Sequence, residues 1–294
     1  MTAPVLDVSV VLPVHNEAGH LAEEITRIRK GLDESRYSYE VIVIDDASTD
    51  GSTELLREME GITLIEVGEN QGSGHSRKIG TRKASGEIVV WSDADMTYPN
   101  DRMADLVDEL TPGYDMVVGA RERERGTMRW ARVPAKWFLR KLASYLVRRK
   151  IPDLNTGFRA FRREVSLPYL YLLPNGFSCV TTITLAFLSR GHPLKFVPIE
   201  YEVRAGESKF HPLRDSSLYM MQIIRMIMTF NPLRVFMPIG LLLLAVAAAK
   251  VGYDALDKDL RITSNAIILT IVSLQIVATG LMADLIARLA RRDE

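Results

Sequence analysis

The sequence predicts an α/β chain, an open sheet of parallel strands with helices on both faces, followed by a two-helix membrane hairpin. Three observations point there. Five short Val- and Ile-rich runs alternate with helix-period segments in the N-terminal half, carboxylates gather just beyond those runs, and two long uncharged runs stand near the C-terminus. Parallel strands covered on both faces read as continuous apolar runs, and an alternating β-α order closes into an open sheet with helices on both sides.

The strands are expected at Val8–Val14, Val41–Ile44, Ile62–Val67, Ile88–Trp91 and Met116–Val118, with Lys195–Val203 strand-like. Leu21, Ile25, Ile28 and Leu32 recur at helical spacing, which predicts a helix beginning just after Asn16. Asp50 is placed to cap the helix carrying Leu55, Leu56 and Met59. Met103, Leu106, Val107 and Leu110 form another stripe, stopped by Pro112-Gly113.

In such sheets ligands bind beyond the carboxyl ends of the strands. The residues there are Pro13, His15, Asn16 and Glu17, then Asp45, Asp46, Ser48 and Asp50, then Asp93 and Asp95. So acidic a rim would repel a phosphorylated ligand unless a divalent cation intervenes, and Mg²⁺ or Mn²⁺ with oxygen ligands is the physical solution. No G-x-G-x-x-G follows the first strand and no Walker lysine loop occurs, which argues against a dinucleotide-binding dehydrogenase and a P-loop enzyme.

Composition excludes other classes. The 294 residues carry 37 basic and 37 acidic side chains, and 47% of them are hydrophobic, unlike a disordered chain, a collagen-like repeat or a globally basic nucleic-acid binder. Cys179 is the only cysteine, so an intrachain disulfide and a four-Cys zinc site are both out of reach, and the reducing cytosol is the default compartment. Met1 to Asp7 has neither a basic start nor a long apolar core, so no cleavable signal is expected.

The uncharged runs Val235–Ala249 and Ala266–Ala283, with their flanks, reach the ~20 residues a bilayer core requires. Spans are expected at 235–253 and 265–287, joined by the polar link Asp254–Asn265. Arg225 and Arg234 precede the first span, and Arg288, Arg291 and Arg292 follow the second. Positive-inside bias therefore places both termini, and with them the N-terminal α/β domain, on the cytoplasmic side of a multi-pass protein of the cytoplasmic (inner) membrane. The rival reading is a buried helical hairpin of a soluble protein. Ala245, Ala247, Ala248, Gly252 and Gly280 would allow self-association into a dimer or tetramer.

Between Arg121 and Lys150 stand eleven cations and two acids, interleaved with Trp130, Trp137, Phe138 and Tyr145. This reads as an interfacial amphipathic segment bent at Pro134, with Arg121 and Arg132 as candidate phosphate partners; a helix packing its aromatic stripe on the sheet is the alternative. Leu218–Phe230 reads as a second membrane-surface helix. No RNA-stacking module accompanies the basic residues, so no nucleic-acid partner is expected. Domain boundaries are expected at 1–213, 214–233 and 234–294.

Three ordered motifs add a resemblance: Val10-Val11-Leu12-Pro13-Val14-His15-Asn16-Glu17, Val43-Ile44-Asp45-Asp46-Ala47-Ser48-Thr49-Asp50-Gly51-Ser52 and Ser92-Asp93-Ala94-Asp95. They resemble the signatures of family-two inverting glycosyltransferases, which implies the GT-A fold, a Rossmann-like nucleotide-diphospho-sugar transferase domain. Asp153-Leu154-Asn155-Thr156-Gly157-Phe158-Arg159-Ala160-Phe161-Arg162 and Arg204-Ala205-Gly206-Glu207-Ser208-Lys209 are similar to motifs of polyprenyl-phosphate glycosyltransferases, the group of dolichol-phosphate mannose synthases and bacterial prenyl-phosphate glucosyltransferases.

The resemblance implies transfer of a hexose (glucose, N-acetylglucosamine or mannose) from a UDP- or GDP-sugar to undecaprenyl or dolichyl phosphate. It implies a cation on Asp93 and Asp95, and donor contacts from Pro13, His15, Glu17, Asp45, Asp46, Asp93, Arg204, Ser208 and Lys209. Asp93, Asp95, Arg204 and Lys209 would act on the leaving diphosphate, with Asp153, Asn155 and Arg159 near the sugar or acceptor phosphate and Gly157 serving backbone geometry. Thr97 stands where mannose synthases often carry Gln, so water is expected to replace that ligand and the mannose assignment weakens. Transfer to another lipid such as diacylglycerol, and a non-catalytic nucleotide-sugar-binding adaptor, are the competing readings.

Overall fold

The computed structural model describes residues 6–110, 113–121, 140–202, 220–257 and 262–290, apart from positions 146, 177, 223 and 227. Two compact units divide the chain, Met1–Gln222 and Ile223–Glu294.

The first unit is built on a seven-stranded sheet of order β3-β2-β1-β4-β6-β5-β7. Its strands are β1 (Val8–Val14), β2 (Tyr39–Asp45), β3 (Thr63–Glu66), β4 (Ile88–Trp91), β5 (Met116–Arg121), β6 (Arg159–Arg162) and β7 (Leu194–Ile199). All five apolar runs are strands. The uniformly parallel sheet is corrected at one point: β6 lies antiparallel between β4 and β5, pairing Val90 with Ala160 on one side and Val117 with Ala160 on the other. Four residues flanked by Gly157 and an Arg-rich stretch carry too little apolar signal to reveal a central strand.

Helices α1 (Leu21–Asp33), α2 (Ser52–Glu58), α3 (Ser73–Lys83), α4 (Met103–Asp108) and α5 (Cys179–Arg190) cover the sheet. The stripe Leu21, Ile25, Ile28 and Leu32 is fully buried against Val10, Leu12 and Val43. α1 starts four residues later than expected because the chain first turns through Asn16 at φ 54°. Asp50 does not occupy the cap position itself, which is Gly51 at φ 91°, but its carboxylate accepts the Ser52 amide at 3.0 Å. α4 ends at Asp108, ahead of Gly113, and Pro112 lies outside the described residues. Most of the basic segment, 122–139, also lies outside them; residues 140–145 are helical, with Arg140, Lys141 and Tyr145 exposed.

The second unit holds α6 (Leu233–Asp257) and α7 (Ser264–Ala290). At ~1.5 Å per residue each is long enough for a hydrocarbon core of about 30 Å. They pack antiparallel: a Cβ on Gly240 would meet Val277 at 2.6 Å, and one on Gly280 would meet Phe236 at 2.5 Å. The buried positions are Gly240, Ala247 and Asp254 on one helix and Ala266, Ser273, Gly280 and Ala287 on the other, each seven residues from the next. A seven-residue repeat of small side chains is the seam of a close-packed coiled coil. Ala247 and Gly280 are thus used inside the hairpin, while Ala245, Ala248 and Gly252 face outward. Leu242 and Ile286 remain 66% and 67% exposed, whereas the core helix of a soluble protein would bury such side chains. At the link, Asp254 accepts hydrogen bonds from Lys250 Nζ at 2.5 Å and the Thr263 amide at 3.1 Å.

Candidate active site

The chain leaves β1, β2 and β4 through three non-glycine residues in the left-handed region, Asn16 (54°), Ala47 (58°) and Met96 (62°). Such residues persist only where their surroundings fix them, and they concentrate at functional rims. Here the first two turns are laced together: Asn16 Oδ1 accepts the Thr49 amide at 2.7 Å, and the Asn16 amide donates to Ser48 Oγ at 3.0 Å.

Beyond these strand ends lies a cavity of about 230 Å³. Four carboxylic residues line it, Glu17, Asp46, Asp93 and Asp95, together with Pro13 and His15. The facing wall, Asn70, Gly72, Ser73 and Gly176, belongs to the turn before α3 and the loop before α5. Gly72 sits at φ 95°, and a Cβ there would lie 2.7 Å from the Asn175 carbonyl oxygen. His15 Nδ1 lies 2.8 Å from the Asp46 carbonyl; a carbonyl only accepts, so Nδ1 carries the proton.

The two central carboxylates have different partners. Asp93 pairs with the Arg77 guanidinium, which is buried in α3 and lies 5.6 Å over the Trp91 ring. Burial alone would lower the Arg77 pKa, but the Asp93 charge, together with Cys179 and Tyr98, more than offsets it and holds the guanidinium protonated. Gly157 makes room for this pair: a Cβ would stand 2.8 Å from Asp93 Oδ2 and 3.0 Å from the Arg77 guanidinium. Its role is close approach rather than an unusual backbone angle. Asp95 Oδ1 accepts the Thr97 hydroxyl at 2.5 Å and the Thr97 amide at 3.3 Å. Thr97 therefore orients the carboxylate.

An acidic pocket at the carboxyl ends of this sheet is matched by similarity in sequence. Residues 9–168 match the description "Glycosyl transferase family 2". The chain belongs to that family. Residues 231–289 match "GtrB C-terminal hairpin". The family-2 chain is 31% identical to undecaprenyl-phosphate 4-deoxy-4-formamido-L-arabinose transferase of Aeromonas hydrophila, over 96% of this chain and 89% of that one. It is 27% identical to glycosyltransferase AglJ of Haloferax volcanii, over 97% and 95% of the two chains. Among solved structures, glucosyl-3-phosphoglycerate synthase from Mycobacterium tuberculosis in complex with Mn²⁺, UDP and phosphoglyceric acid superposes with a TM-score of 0.56 at 25% identity, covering 76% of this chain and 78% of that one. The architecture is the GT-A fold.

Several expected site residues of this family-2 chain have other work. Asp45 is buried, accepting the Ser48 amide at 3.2 Å and the Thr53 hydroxyl at 2.5 Å, and is not among the residues that line the pocket. Asp46 does line it, yet its oxygens take the amides of Gln71 at 2.9 Å and Gly72 at 2.7 Å, fixing the opposite wall. Arg159 also lies apart from the pocket lining. As the first residue of β6 it is fully buried, donating to the Val180 carbonyl at 2.8 Å and Thr184 Oγ1 at 2.9 Å. Burial, reinforced by the like charge of Arg77, pulls its pKa down to about 10. It braces the sheet from within the core.

Arg121 and Asp153 form a two-pronged pair at 2.6 and 2.9 Å. Burial would raise the Asp153 pKa, but the hydrogen bonds and charge of Arg121 hold it below the usual carboxylate value. Asn155 closes the turn through its amide on Asp153 Oδ1 at 3.0 Å. Arg132, Arg204, Ser208 and Lys209 lie outside the described residues. Sequence reasoning passed over Arg77, Glu24, Asn100 and the turn Asn70–Gly74. Of these only the paired glycines, Gly72 and Gly74 ahead of a helix, carry a local signal of close backbone approach.

Proposed function

We propose that this family-2 enzyme transfers a hexose from a UDP- or GDP-sugar to the phosphate of a polyprenyl phosphate, on the cytoplasmic face of the membrane with both termini in the cytoplasm. One observation carries the reading: a single polypeptide joins an acidic pocket at the rim of a GT-A sheet to a hairpin whose apolar faces are exposed. Similarity along nearly the whole chain to an undecaprenyl-phosphate sugar transferase supports it, and the UDP and Mn²⁺ named for the solved relative support the donor class and the cation.

Among the described residues no three His, Cys, Asp or Glu side chains converge into a ready-made metal cage. The carboxylates there instead offer oxygen donors, which suit Mg²⁺ or Mn²⁺ completing its shell with diphosphate oxygens and water. Asp95, oriented by Thr97, is the principal holder; Asp93, half-neutralised by Arg77, contributes less to the cation and accepts donor hydroxyls. When bound, the cation neutralises charge on the leaving diphosphate. His15 and Glu17 line the side toward the nucleoside, and Gly72 and Ser73 let the donor approach main chain. Arg204, Ser208 and Lys209 close over the diphosphate, and Arg121 and Arg132 meet the lipid phosphate, Arg121 by exchanging its Asp153 partner. The acceptor is already an anion, so alignment matters more than a general base.

The test is a donor screen with the full chain in nanodiscs containing undecaprenyl phosphate, with Mn²⁺ or Mg²⁺, read by mass spectrometry of the lipid. A prenyl-phosphate sugar from one UDP- or GDP-hexose is expected. Donor hydrolysis or glycosylated diacylglycerol in its place would refute the acceptor assignment.

A further inference from the structure

Helix α1 presents a second stripe beside its apolar one. Glu24, Arg27 and Gly31, spaced three and four apart, face the loop that runs from Ser92 to Asp101 and carries both central carboxylates. Glu24 and Asn100 are fully buried, as is Ser92. The Asn100 carboxamide is used at both ends: Oδ1 accepts the Ser92 hydroxyl at 2.6 Å, while Nδ2 donates to the Glu24 carboxyl and, at 3.3 Å, to the main-chain carbonyl of Asp93. Arg27 grips the same loop further on, donating to the Tyr98 carbonyl at 3.3 Å and to Asp101 at 3.1 Å, with the Met96 sulfur at 3.7 Å. A Cβ on Gly31 would run into the Asp101 backbone, so this seat admits no side chain.

A buried carboxyl is costly to keep unless it does something a hydrocarbon cannot. Here it fixes an amide that in turn fixes the backbone on which the pocket depends. The loop needs such a fix, because Met96, between Asp95 and Thr97, is held in the left-handed region. We propose that Glu24 and Asn100 are positioning residues for the transfer reaction: from inside the core they set the main chain of Asp93, and with it the separation and aim of the Asp93 and Asp95 carboxylates. The proposal rests on the reading of that pair as the cation and diphosphate site.

The test uses the full chain in nanodiscs. Mn²⁺ is titrated in the presence of UDP and, in a parallel series, GDP, and bound cation is followed through loss of the free-Mn²⁺ electron paramagnetic resonance signal; melting temperature, donor KM and kcat are measured alongside. Glu24→Leu replaces the buried carboxyl by a hydrocarbon of similar size and should fold, yet bind Mn²⁺ about tenfold more weakly, as loss of a supporting group behind a metal site does. Its donor KM should rise with it. Glu24→Gln keeps an oxygen acceptor for Asn100 and should stay within about threefold of the parent, whereas Asn100→Ala should resemble Glu24→Leu. If Glu24→Leu does not fold, Ser92→Ala, which removes one hydrogen bond to Asn100, carries the test with an expected loss of about threefold.

Parent-like Mn²⁺ affinity in Glu24→Leu and Asn100→Ala, or Glu24→Gln as weak as Glu24→Leu with both melting equally early, overturns the positioning role. Asp95→Asn separates the two levels. If it also binds Mn²⁺ like the parent, the reading of the site itself fails; if it loses Mn²⁺ while Glu24→Leu and Asn100→Ala retain it, only the positioning role fails.

Discussion

The hairpin and the sheet rim solve opposite problems. In the hairpin, small residues recurring every seven positions, with Asp254 at the link, bring two helices together, and most of the surface outside that seam is apolar. At the rim, single side chains from distant parts of the chain meet at fixed points: Arg77 on Asp93, Asn175 beneath Gly72, Asn100 between Glu24 and the Asp93 backbone. The seam tolerates any change that keeps its outline small, whereas the rim depends on identities. The comparison yields four expectations, of decreasing size.

The largest concerns Asp95, whose carboxylate has its orientation set by Thr97. Asp95→Ala should reduce nucleoside diphosphate release by about 10²- to 10³-fold, the usual cost of removing a group that stabilises charge on a leaving group. Steady-state turnover at saturating Mn²⁺ checks it, and turnover near the parent's would remove the distinction between rim and seam. Next comes Gly157→Ala, where the added methyl meets Asp93 Oδ2 at 2.8 Å. A small displacement of a positioned group costs roughly 10- to 100-fold in rate, so kcat/KM should fall that far while the melting temperature moves little.

Third, Gly280→Leu drives a side chain into Phe236 and should destabilise the hairpin by about 1–3 kcal/mol. Leu242→Ala on the outward face should change it by less than about 0.5 kcal/mol. Unfolding of the two variants in detergent sharpens the seam account, and equal effects would dissolve it. The smallest is a pH effect. Burial lifts the Glu24 pKa from 4.5 to about 7, so between those values the folded protein holds a proton that the unfolded chain has released. Stability should therefore fall as pH rises from about 4.5 to about 7 and level off above. Urea midpoints in metal-free buffer at the two ends should show this fall for the parent and a smaller one for Glu24→Gln.

The same contrast explains what could be read in advance. Strands β1, β2, β4 and β5 and the two long apolar helices were legible because their signal is compositional: runs such as Val8–Val14 or Ala266–Ala283 need no knowledge of what they touch. The rim carboxylates were legible as a group because they follow strand ends. Their division of labour was not, since Asp45 and Asp46 look alike in sequence and differ only in which amides they meet. The burial of Arg159 was not legible because β6 is short and enters the sheet antiparallel, a fact set by its neighbours β4 and β5 and not by its own four residues. Glu24 carries no signal of its own in the sequence, and its role comes from the approach of Asn100 across the fold, with Arg27 one turn away.

The most direct test of the account compares acceptors that differ in one group. Nanodiscs carrying undecaprenyl phosphate, undecaprenol or diacylglycerol are supplied with the enzyme, Mn²⁺ and its preferred nucleotide sugar, and nucleoside diphosphate release is timed. Release confined to the phosphorylated lipid, and abolished by chelation of the cation, is the expected result. Equal release with undecaprenol, or release that persists in chelator, would contradict the claim that this pocket joins a cation-held diphosphate donor to an anionic lipid.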